Sequence, residues 1–464
     1  MTTSRALNIV FVHPDLGIGG AERLVVDAAV GLQDKGHKVS IYTSHHDPTH
    51  CFEETRNGQL KVNVRGNWLI PRTLFGLFYI ICAILRQFHL GLALLLWDRP
   101  KIDVIFIDQL SASIPLLKFT GAKILFYCHF PDKLLTGRKS VLKKLYRMPV
   151  DKFEEVTTGM ADAIVVNSKF TANVFRDSFP SIKQRPKVLY PGIHLTSYDK
   201  AVDLNDESVK ILESHKKLII SINRFERKKN IALAINAFAA LRDNHLVSTT
   251  EFQNLRLIIA GGYDYRVKEN VEYHLELEKL ASILGLSNFT ISLVGGAKDA
   301  QSPPPSDAQV VFLCSFSEEQ RTFLLSRAIL LLYTPSNEHF GIVPVESMYA
   351  SLPVIAVNSG GPTESILDEV TGFLCDPTPE AFSQSIVKLL SGGNEFDRKI
   401  MGEQGRKRVQ TLFSLSAFVD TLEDILRHLA FESSPSSSLK LPILIFVLSL
   451  IIGFIVYTQD YISI

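Results

Sequence analysis

The stretch that decides the fold is LNIVFVHPDLGIGGAERLVVDAAVGLQDKGHKVSIYT, residues 7–43. Its pattern predicts a buried strand, a glycine-rich turn (17–23), a helix to about Lys35 and a second strand (38–43). Short apolar runs without alternation are typical of parallel strands covered on both faces. A strand, a glycine turn, a helix and a strand in this order open a doubly wound domain, so the predicted class is α/β.

The same pattern begins again near Lys216, which predicts a second α/β domain of similar size. We expect one domain at 1–200, a second at 216–415 and a closing helix at 416–432, with the polar stretch 199–215 as linker. The other predicted strands of the first half are 102–108, 123–128, 163–168 and 187–190. Those of the second half are 217–223, 255–262, 290–295, 328–334 and 352–359.

Composition excludes several classes of protein. The chain has 464 residues, 46% of them hydrophobic, and a formal net charge of +1. This balance argues against a strongly basic nucleic-acid binder and against an acidic, disordered chain. The five cysteines are scattered and form no C-x-x-C, which argues against a disulfide framework or zinc module and favours a reducing compartment.

A mean hydropathy of +0.14 is slightly high for a soluble enzyme. One source is LPILIFVLSLIIGFIVY (441–457), whose 17 residues carry no charge and include 13 Leu, Ile, Phe or Val. At about 1.5 Å per residue a helix of this length spans roughly 25 Å, so we expect a C-terminal transmembrane helix. Lys440 precedes it and no Lys or Arg follows, which predicts that the large N-terminal part faces the cytosol.

A second apolar stretch, 69–97, is interrupted by Arg86 and Gln87. We expect two short helices, broken at these residues, that dip into one leaflet while Arg86 reaches towards the headgroups. The alternative is one helix buried within the first domain. The residues expected to contact the membrane or a lipid acceptor are Leu74, Phe78, Leu94 and Trp97.

The segment SNEHFGIVPVESM (336–348) offers two carboxylates at the carboxyl edge of the second sheet. Glu338 follows a strand and Glu346 lies about two turns further on, in a predicted helix. In open α/β sheets ligands bind at this edge. Gly341 permits close backbone approach, and the N–H groups at the start of the helix can bind an anion. A carboxylate placed here can accept hydrogen bonds from sugar hydroxyls.

A basic turn, RFERKKN (224–230), follows the first strand of the second half. Arg224 and Lys229 are placed to neutralise a diphosphate. Arg227 and Lys228 are expected to be a solvated basic cap.

Two features of the first half complete the candidate site. Gly19 and Gly20 permit a tight turn whose N–H groups can face a phosphate or sugar, although GIGGAER is not a dinucleotide-binding motif. His129 ends the strand 123–128 at a sheet edge. No two aspartates are two positions apart, so the usual metal-binding D-x-D pair is missing and the predicted chemistry needs neither a metal nor another cofactor.

Together these residues resemble the retaining GT-B glycosyltransferases of family 4. The shared features are GIGGAE, Arg224 with Lys229, Glu338 with Glu346 around FG, and the SGGP loop (359–362), and they cover about residues 7–430. The resemblance implies two Rossmann-like domains facing a cleft. Within the family the chain is similar to mannosyltransferases of dolichol-linked oligosaccharide assembly.

The resemblance also implies a role for each residue. Arg224 and Lys229 would hold the donor diphosphate, Glu338 the transferred hexose and Glu346 the ribose. The N–H groups of Ile342 and Val343, after Gly341, would meet the phosphate. His129 would lie near the reacting sugar, and Gly19 and Gly20 would shape the donor pocket.

The implied donor is GDP-mannose, and the implied acceptor is a dolichyl-diphosphate-linked oligosaccharide. Retention without an obvious carboxylate nucleophile implies front-face transfer. The implied location is the endoplasmic-reticulum membrane, with the catalytic domains on the cytosolic face and other mannosyltransferases of the pathway as further partners. Two alternatives stay open: a family-4 enzyme acting on another lipid such as phosphatidylinositol, and a non-catalytic membrane scaffold.

Overall fold

The computed structural model describes residues 5–66, 70–73, 78–137, 140–292, 302–391 and 395–432. The predicted transmembrane helix (441–457) and Leu74 lie outside the described residues. The chain divides into two compact units. The N-terminal unit holds the described residues up to Pro191 and those from Leu415 onward, and the C-terminal unit is Gly192–Ser414.

The N-terminal unit is built on a parallel sheet of seven strands within the described residues, in the order β3-β2-β1-β4-β5-β6-β7. The strands are β1 (Asn8–Leu16), β2 (Lys38–His46), β3 (Val62–Val64), β4 (Val104–Asp108), β5 (Lys123–Cys128), β6 (Ala163–Val166) and β7 (Lys187–Val188). The helices are α1 (Gly20–Asp34), α2 (Glu53–Arg56), α3 (Tyr79–Leu92), α4 (Ile114–Leu117), α5 (Asp132–Leu135), α6 (Val141–Thr158) and α7 (Lys169–Ser178). Because the strand order reverses between β1 and β4, the carboxyl ends of these two strands form the ligand-binding edge of the sheet.

The C-terminal unit repeats this architecture with the strand order β10-β11-β9-β8-β12-β13-β14. Its strands are β8 (Lys217–Ile222), β9 (Leu255–Gly261), β10 (Asn288–Ser292), β11 (Val310–Cys314), β12 (Ala328–Tyr333), β13 (Val354–Val357) and β14 (Gly372–Cys375). The helices are α8 (Leu195–Tyr198), α9 (Glu207–Lys210), α10 (Ile231–Asp243), α11 (Thr249–Gln253), α12 (Lys268–Ile283), α13 (Glu318–Arg327), α14 (Ile342–Tyr349), α15 (Pro362–Ser365), α16 (Pro379–Ser391) and α17 (Glu395–Leu412). Here the order reverses between β8 and β12.

The predicted α/β class and every predicted strand are confirmed, with bounds that differ by a few residues. The sequence did not predict β3, β11 and β14. Strands β9 and β11 are fully buried, with all of their residues in the interior. This explains why such strands show no alternation of apolar and polar residues.

After the C-terminal unit the chain returns to the N-terminal unit with α18 (Leu415–Phe431). This helix packs against α1, where the side chain of Val419 lies over Gly31. Its apolar face joins the core that covers β1 and β4. The predicted closing helix is therefore an integral part of the first sheet's core.

The boundary between the units falls before 199–215, not within it. Asp199 pairs with Arg406 on α17, and the Gln320 side chain donates a hydrogen bond of 2.8 Å to the Ser208 carbonyl. Since these contacts all lie within the C-terminal unit, this polar stretch packs on that unit.

The segment expected to form two membrane-dipping helices is one continuous helix. The α-helix α3 runs through Arg86 and Gln87 and continues as a π-helical segment, Ala93–Asp98. The combined helix, Tyr79–Asp98, has a mean hydropathy of 1.8, and 44% of its most apolar part is buried. It is long and apolar enough to cross a membrane, yet a core helix of a soluble protein would have the same length and hydropathy.

Two predictions about this segment are wrong. Arg86 does not reach towards lipid headgroups, because it is buried and its guanidinium lies 3.1 Å from the Asp15 carboxylate. Leu94 does not face lipid, because it is 1% exposed and packs in the core beside β1 and β4. Phe78 and Trp97 are exposed, and their contact with lipid stays a prediction.

Candidate active site

The centre of the candidate site is an ion pair between Lys229 and Glu338 in the C-terminal unit. Lys229 follows β8 and Glu338 follows β12, the two strands between which the strand order reverses. Both side chains are about four-fifths buried. The ligand-binding edge of this sheet therefore holds one ammonium and one carboxylate that neutralise each other.

Lys229 is fixed by the turn that contains it. Residues Arg227–Lys229 form a single 3-10 turn, and Asn230, with φ +49°, is the N-cap residue of α10. The Lys229 N–H donates to the Glu226 carbonyl, and the Lys229 carbonyl accepts a 2.8 Å hydrogen bond from the Thr334 hydroxyl. The backbone of the basic turn is thus tied directly to the end of β12.

The four basic residues of this turn have different surroundings. The Arg224 side chain is 72% exposed, with one guanidinium nitrogen 3.8 Å from Glu226. Arg227 lies against α12, where it pairs with Glu276 at 2.5 Å, and Lys228 is 73% exposed. Lys229 is therefore the buried cation at the sheet edge, and Arg224 is an exposed cation beside it. The prediction of a solvated cap is confirmed for Lys228, whereas Arg227 is exposed but pairs with carboxylates of α12.

Burial alone would raise the pKa of Glu338, but the Lys229 ammonium, together with the side chain and N–H of His339, more than offsets this and lowers the pKa below its ordinary value. The Tyr333 hydroxyl lies 3.4 Å from the same carboxylate oxygen. Glu338 is consequently ionised at neutral pH, and it can only accept hydrogen bonds. Such a group suits a ligand's hydroxyls and repels a phosphate.

The SGGP loop holds Glu338 in place. The Gly361 N–H donates a 2.7 Å hydrogen bond to the Glu338 carbonyl. Gly360 has φ +68°, and a Cβ there would lie 2.4 Å from the same carbonyl oxygen. Close packing of the two loops therefore requires glycine at both positions.

Glu346 is in a different environment from Glu338. It lies on α14, and its carboxylate accepts hydrogen bonds from the Tyr198 hydroxyl at 2.5 Å and from Arg321 at 3.3 Å. Burial raises the pKa of Glu346, and Arg321 offsets only part of that rise. A ribose hydroxyl that binds Glu346 would either donate to this carboxylate alongside the Tyr198 hydroxyl or replace the Tyr198 hydroxyl as donor.

Gly341, Ile342 and Val343 lie at the start of α14 as predicted. Gly341 has φ +84° and precedes the first helical residue, and a Cβ there would lie 3.3 Å from the Tyr333 ring. Ile342 and Val343 belong to the first turn of the helix, where N–H groups have no intrahelical partner. These N–H groups can therefore bind an anion beside Glu338.

In the N-terminal unit, His129 belongs to a buried cluster at the carboxyl ends of β1, β4 and β5. Asp108 is fully buried, and its carboxylate lies 2.7 Å from His13 Nδ1 and 3.1 Å from His129 Nε2. The other ring nitrogen of His13 lies 3.7 Å from Glu22. The cluster therefore joins four titratable side chains, and His129 is the one that the sequence predicted as a site residue. The other three are His13, Glu22 and Asp108.

The charges of this cluster are set by burial and by mutual attraction. Burial lowers the pKa of His13, but Asp108 and Glu22 more than offset this and raise it to about 10. Burial raises the pKa of Asp108, and the two histidines lower it below its ordinary value. Asp108 therefore stays a carboxylate, accepts the Nε2–H of His129 and orients that ring.

Gly19 and Gly20 begin α1, beside this cluster. Gly19 is the N-cap residue, and a Cβ there would collide with the Glu22 carboxylate. Around Gly20 a Cβ would meet nothing within 4 Å. The structure places Gly19, Gly20 and His129 in the N-terminal unit, and it places the predicted donor-binding residues from Arg224 to Glu346 in the C-terminal unit.

Sequence reasoning missed the partners that make both clusters. In the N-terminal unit these are His13, Glu22 and Asp108, and in the C-terminal unit they are Tyr198, Arg321 and Tyr333. The ends of β1, β4 and β12 were visible in the sequence, so a search for polar residues at strand ends would have found His13, Asp108 and Tyr333. Nothing in the sequence indicates that Tyr198 and Arg321 approach Glu346.

Among the described residues no three His, Cys, Asp or Glu side chains form a group that could hold a metal ion.

Two family models match the chain. Residues 18–197 match "Glycosyltransferase Family 4", and residues 205–299 and 306–408 match "Glycosyl transferases group 1". Among solved structures, a glycosyltransferase from Rickettsia africae superposes with a TM-score of 0.67 at 18% identity, covering 93% of this chain and all of that one. Sucrose-phosphate synthase from Thermosynechococcus elongatus also superposes with a TM-score of 0.67 at 18% identity, and the match covers 91% of this chain and 99% of that one. The chain is a glycosyltransferase with the GT-B type of α/β fold.

Curated relatives cover nearly the whole length. Alpha-1,3/1,6-mannosyltransferase ALG2 of Rhizomucor pusillus is 58% identical over 457 residues, 98% of this chain and 99% of that protein. The enzyme of the same name from Dictyostelium discoideum is 45% identical, covering 92% and 99%, and the one from Homo sapiens is 47% identical, covering 89% and 94%. The chain belongs to this family of alpha-1,3/1,6-mannosyltransferases.

Proposed function

We propose that this protein transfers mannose from GDP-mannose to a dolichyl-diphosphate-linked oligosaccharide, adding α-1,3 and α-1,6 mannose early in N-glycan precursor assembly. Relatives named for these linkages, at 45–58% identity over nearly the full chain, support the linkages. Because these relatives are enzymes, a non-catalytic scaffold is not favoured. The same relatives do not favour phosphatidylinositol as acceptor.

The observation that carries the proposal is the Lys229–Glu338 pair at the edge of the C-terminal sheet. A nucleoside diphosphate brings negative charge, which Lys229 can pair with in place of Glu338. The released carboxylate can then accept hydrogen bonds from the hydroxyls of mannose. The pair therefore exchanges one internal contact for two contacts with the donor.

Charge on the donor would be neutralised by protein groups. Lys229, the exposed Arg224 and the N–H groups of Ile342 and Val343 supply positive charge around the diphosphate. We propose that the reaction needs no metal and no further cofactor. The expected result is full activity in the presence of EDTA; loss of activity that Mg²⁺ or Mn²⁺ restores would contradict it.

The chemical step is proposed to occur on one face of the sugar. The bond between mannose C1 and the donor phosphate oxygen breaks, and a bond from C1 to the acceptor oxygen forms on the same face. The acceptor's hydroxyl proton moves to the departing phosphate oxygen, GDP leaves, and the α configuration is kept. Positive charge at Lys229 and Arg224 stabilises the leaving group as its charge develops.

His129 would contact the reacting mannose. Because Asp108 accepts its Nε2–H, the Nδ1 of a neutral His129 presents a lone pair that can accept a hydrogen bond from a sugar hydroxyl. His13 and Asp108 would act through His129 as positioning residues.

We further propose that the protein is bound to the endoplasmic-reticulum membrane with its catalytic units on the cytosolic face. The charge-free segment 441–457 and the cation before it support an anchored chain of this orientation. Other mannosyltransferases of the pathway are proposed as partners, because one enzyme's lipid-linked product is the next one's acceptor.

The site assignment is tested with Lys229→Met, with Glu338→Gln and with Lys228→Met as matched control. We expect the first two to lower kcat/KM for mannose transfer by about 100-fold or more, as removal of one charge-stabilising contact does in other enzymes. Lys228→Met should have nearly wild-type activity, since that side chain is exposed one residue away. Circular dichroism checks folding. Wild-type activity in Lys229→Met and Glu338→Gln would overturn the assignment.

A further inference from the structure

Helix α6 carries an apolar stripe that faces outward. Val141, Leu145 and Met148 have the spacing i, i+4, i+7 and therefore lie on one face of the helix. They are 80%, 62% and 61% exposed, whereas a helix of a globular domain normally turns such a stripe to the core. An outward stripe of three aliphatic side chains indicates a surface that something else covers.

The sequence that contains the start of this stripe is basic. Residues 138–147 (RKSVLKKLYR) contain five Arg or Lys and no Asp or Glu. Lys143 and Lys144 are exposed. Arg147 is buried and pairs with Asp132 at 2.7 Å, so it supports the helix from inside.

The acidic residues of α6 have partners within the N-terminal unit. Glu154 accepts hydrogen bonds from the backbone N–H groups at the start of α5, and burial raises its pKa to about 7. Glu155 accepts hydrogen bonds from Ser181, and Asp151 pairs with Arg147. The outer surface near the start of α6 is therefore apolar and cationic.

Neighbouring elements extend this surface. The Phe78 ring lies edge-on to Tyr146 of α6 at 5.9 Å, which places the exposed start of α3 beside α6. Leu134 and Leu135 of α5 are also exposed. An open groove of about 600 Å³ runs along α6. It is lined by the aliphatic side chains of the stripe, by three lysines (Lys133, Lys144 and Lys152) and by the ion-paired carboxylates Asp151 and Glu155.

We propose that this surface docks onto the anionic headgroup layer of a lipid bilayer. The α6 surface is defined by Phe78, Leu134, Leu135, Val141, Leu145 and Met148, with Lys143 and Lys144 at its edge. The aliphatic and aromatic side chains enter the boundary between headgroups and acyl chains, and the lysines contact lipid phosphates. Apolar burial together with cation–phosphate attraction is the usual means by which a peripheral helix binds a membrane.

Charge complementarity favours a bilayer as occupant. An excess of cations around aliphatic side chains matches the negative surface of a cytoplasmic leaflet. The inference deepens the proposed function and rests on it in one respect, that the acceptor lipid lies in a bilayer. Docking at α6 would bring the N-terminal unit onto that bilayer.

The contact is tested with a fluorescent reporter on the full-length chain reconstituted into vesicles. Leu145→Cys, in a Cys51→Ser background, is labelled with an environment-sensitive dye. The matched control is Ile283→Cys on α12, which is also an apolar helix residue and is 71% exposed. Because the whole chain is used, its membrane anchor is the same in both samples and the dye reports the local contact.

The vesicles are phosphatidylcholine alone or with about 30% phosphatidylserine, a negative surface like that of a cytoplasmic leaflet. We expect a blue shift and at least twofold quenching by spin-labelled lipid at position 145, stronger with phosphatidylserine and reduced by Lys143→Glu with Lys144→Glu. Position 283 should respond to neither lipid. A solvent-like spectrum at 145 in both vesicles, or equal quenching at 145 and 283, would overturn the proposal. A blue shift without lipid quenching would indicate a protein contact instead and would overturn it too.

An activity measurement separates this inference from the proposed function. We expect Val141→Asp with Leu145→Asp to lower kcat/KM about tenfold for a long-chain acceptor in anionic vesicles, but not for a short-chain acceptor in detergent. Ile283→Asp should change neither. Equal losses on both acceptors would mean that α6 does not act through the membrane. If the wild type transfers no mannose to either acceptor, the proposed function fails, and the fluorescence result still decides whether α6 docks.

Discussion

At the scale of single residues, two glutamates eight positions apart have different partners. Glu338 faces Lys229, which keeps it ionised, and Glu346 faces Tyr198 and Arg321. The sequence predicted both as ligand contacts because both lie near the end of β12. It could not predict their partners, because Lys229 and Arg321 come from distant parts of the chain and meet the glutamates only when the sheet forms.

The His13–Asp108 pair shows the same limit. Strands β1 and β4 are parallel neighbours, with Val12 opposite Ile107, and this register brings His13 beside Asp108. The two residues are far apart in sequence, and the sequence shows each of them only as a polar residue at a strand end. Their pairing depends on strand order, which the sequence pattern does not specify.

This pair should make stability depend on pH. The folded-state pKa of His13, about 10, is above the ordinary value of 6.5, so its stabilising contribution is complete below pH 6.5 and is lost as pH rises towards 10. The pKa of Asp108 is lowered, so its contribution is lost only in acid, below about pH 4. We expect His13→Gln to reduce the free energy of unfolding at pH 6.5 and to flatten its decline between pH 6.5 and 10.

This dependence is measured by unfolding the protein in urea at several pH values. Hydrogen exchange at β1 and β4 reports the unfolding of the N-terminal unit. His50→Gln is the control, because His50 is exposed. A His13→Gln profile parallel to that of the wild type would show that His13 is not the charged partner of Asp108.

At the scale of elements, the strands were predicted well because buried parallel strands are continuous apolar runs. Two of the three missed strands are very short: β3 has three residues and β14 has four. The continuous α3 was missed for another reason. A charged residue in an apolar run suggested a break, whereas the structure pairs Arg86 with Asp15 and keeps the helix intact.

The SGGP loop gives the sharpest test at this scale. Gly360→Ala would place a Cβ 2.4 Å from the Glu338 carbonyl oxygen and 2.7 Å from its nitrogen, at a φ of +68°. We expect a loss of about 1–3 kcal/mol in the free energy of unfolding of the C-terminal unit. Displacement of Glu338 should also weaken donor binding. Thermal unfolding and GDP-mannose titration measure the two effects.

Gly20→Ala provides the control for stability, since a Cβ at Gly20 meets nothing within 4 Å and the residue is helical. It should unfold at the wild-type temperature or slightly above. If Gly360→Ala were as stable as Gly20→Ala, the close packing of the SGGP loop on the Glu338 loop would be refuted.

At the scale of the whole molecule, the sequence predicted two α/β domains, and two such units are present. It did not predict that α18 belongs to the N-terminal unit, because an amphipathic helix at the end of a chain does not reveal which core it covers. The apolar face of α18 packs against α1 and the core of the first sheet, where Leu422 is fully buried.

This assignment predicts where a mutation in α18 acts. Leu422→Ala should destabilise the N-terminal unit by about 2–5 kcal/mol, the usual cost of emptying a buried leucine site. The neighbouring Thr421→Ala, at an exposed position, should cost less than about 0.5 kcal/mol. Hydrogen exchange resolved by segment measures both. Loss of protection in β8–β12 instead of β1–β5 would contradict the assignment of α18.

The central claim is that this chain forms mannosidic α-1,3 and α-1,6 bonds by means of the Lys229–Glu338 site. The most direct measurement is linkage analysis of the product made by the purified full-length protein from GDP-mannose and a dolichyl-diphosphate-linked oligosaccharide. We predict that the wild type and Lys228→Met yield both α-1,3 and α-1,6 mannose and that Lys229→Met yields neither. No mannose transfer by the wild-type protein, a product with other linkages, or undiminished transfer by Lys229→Met would contradict the account.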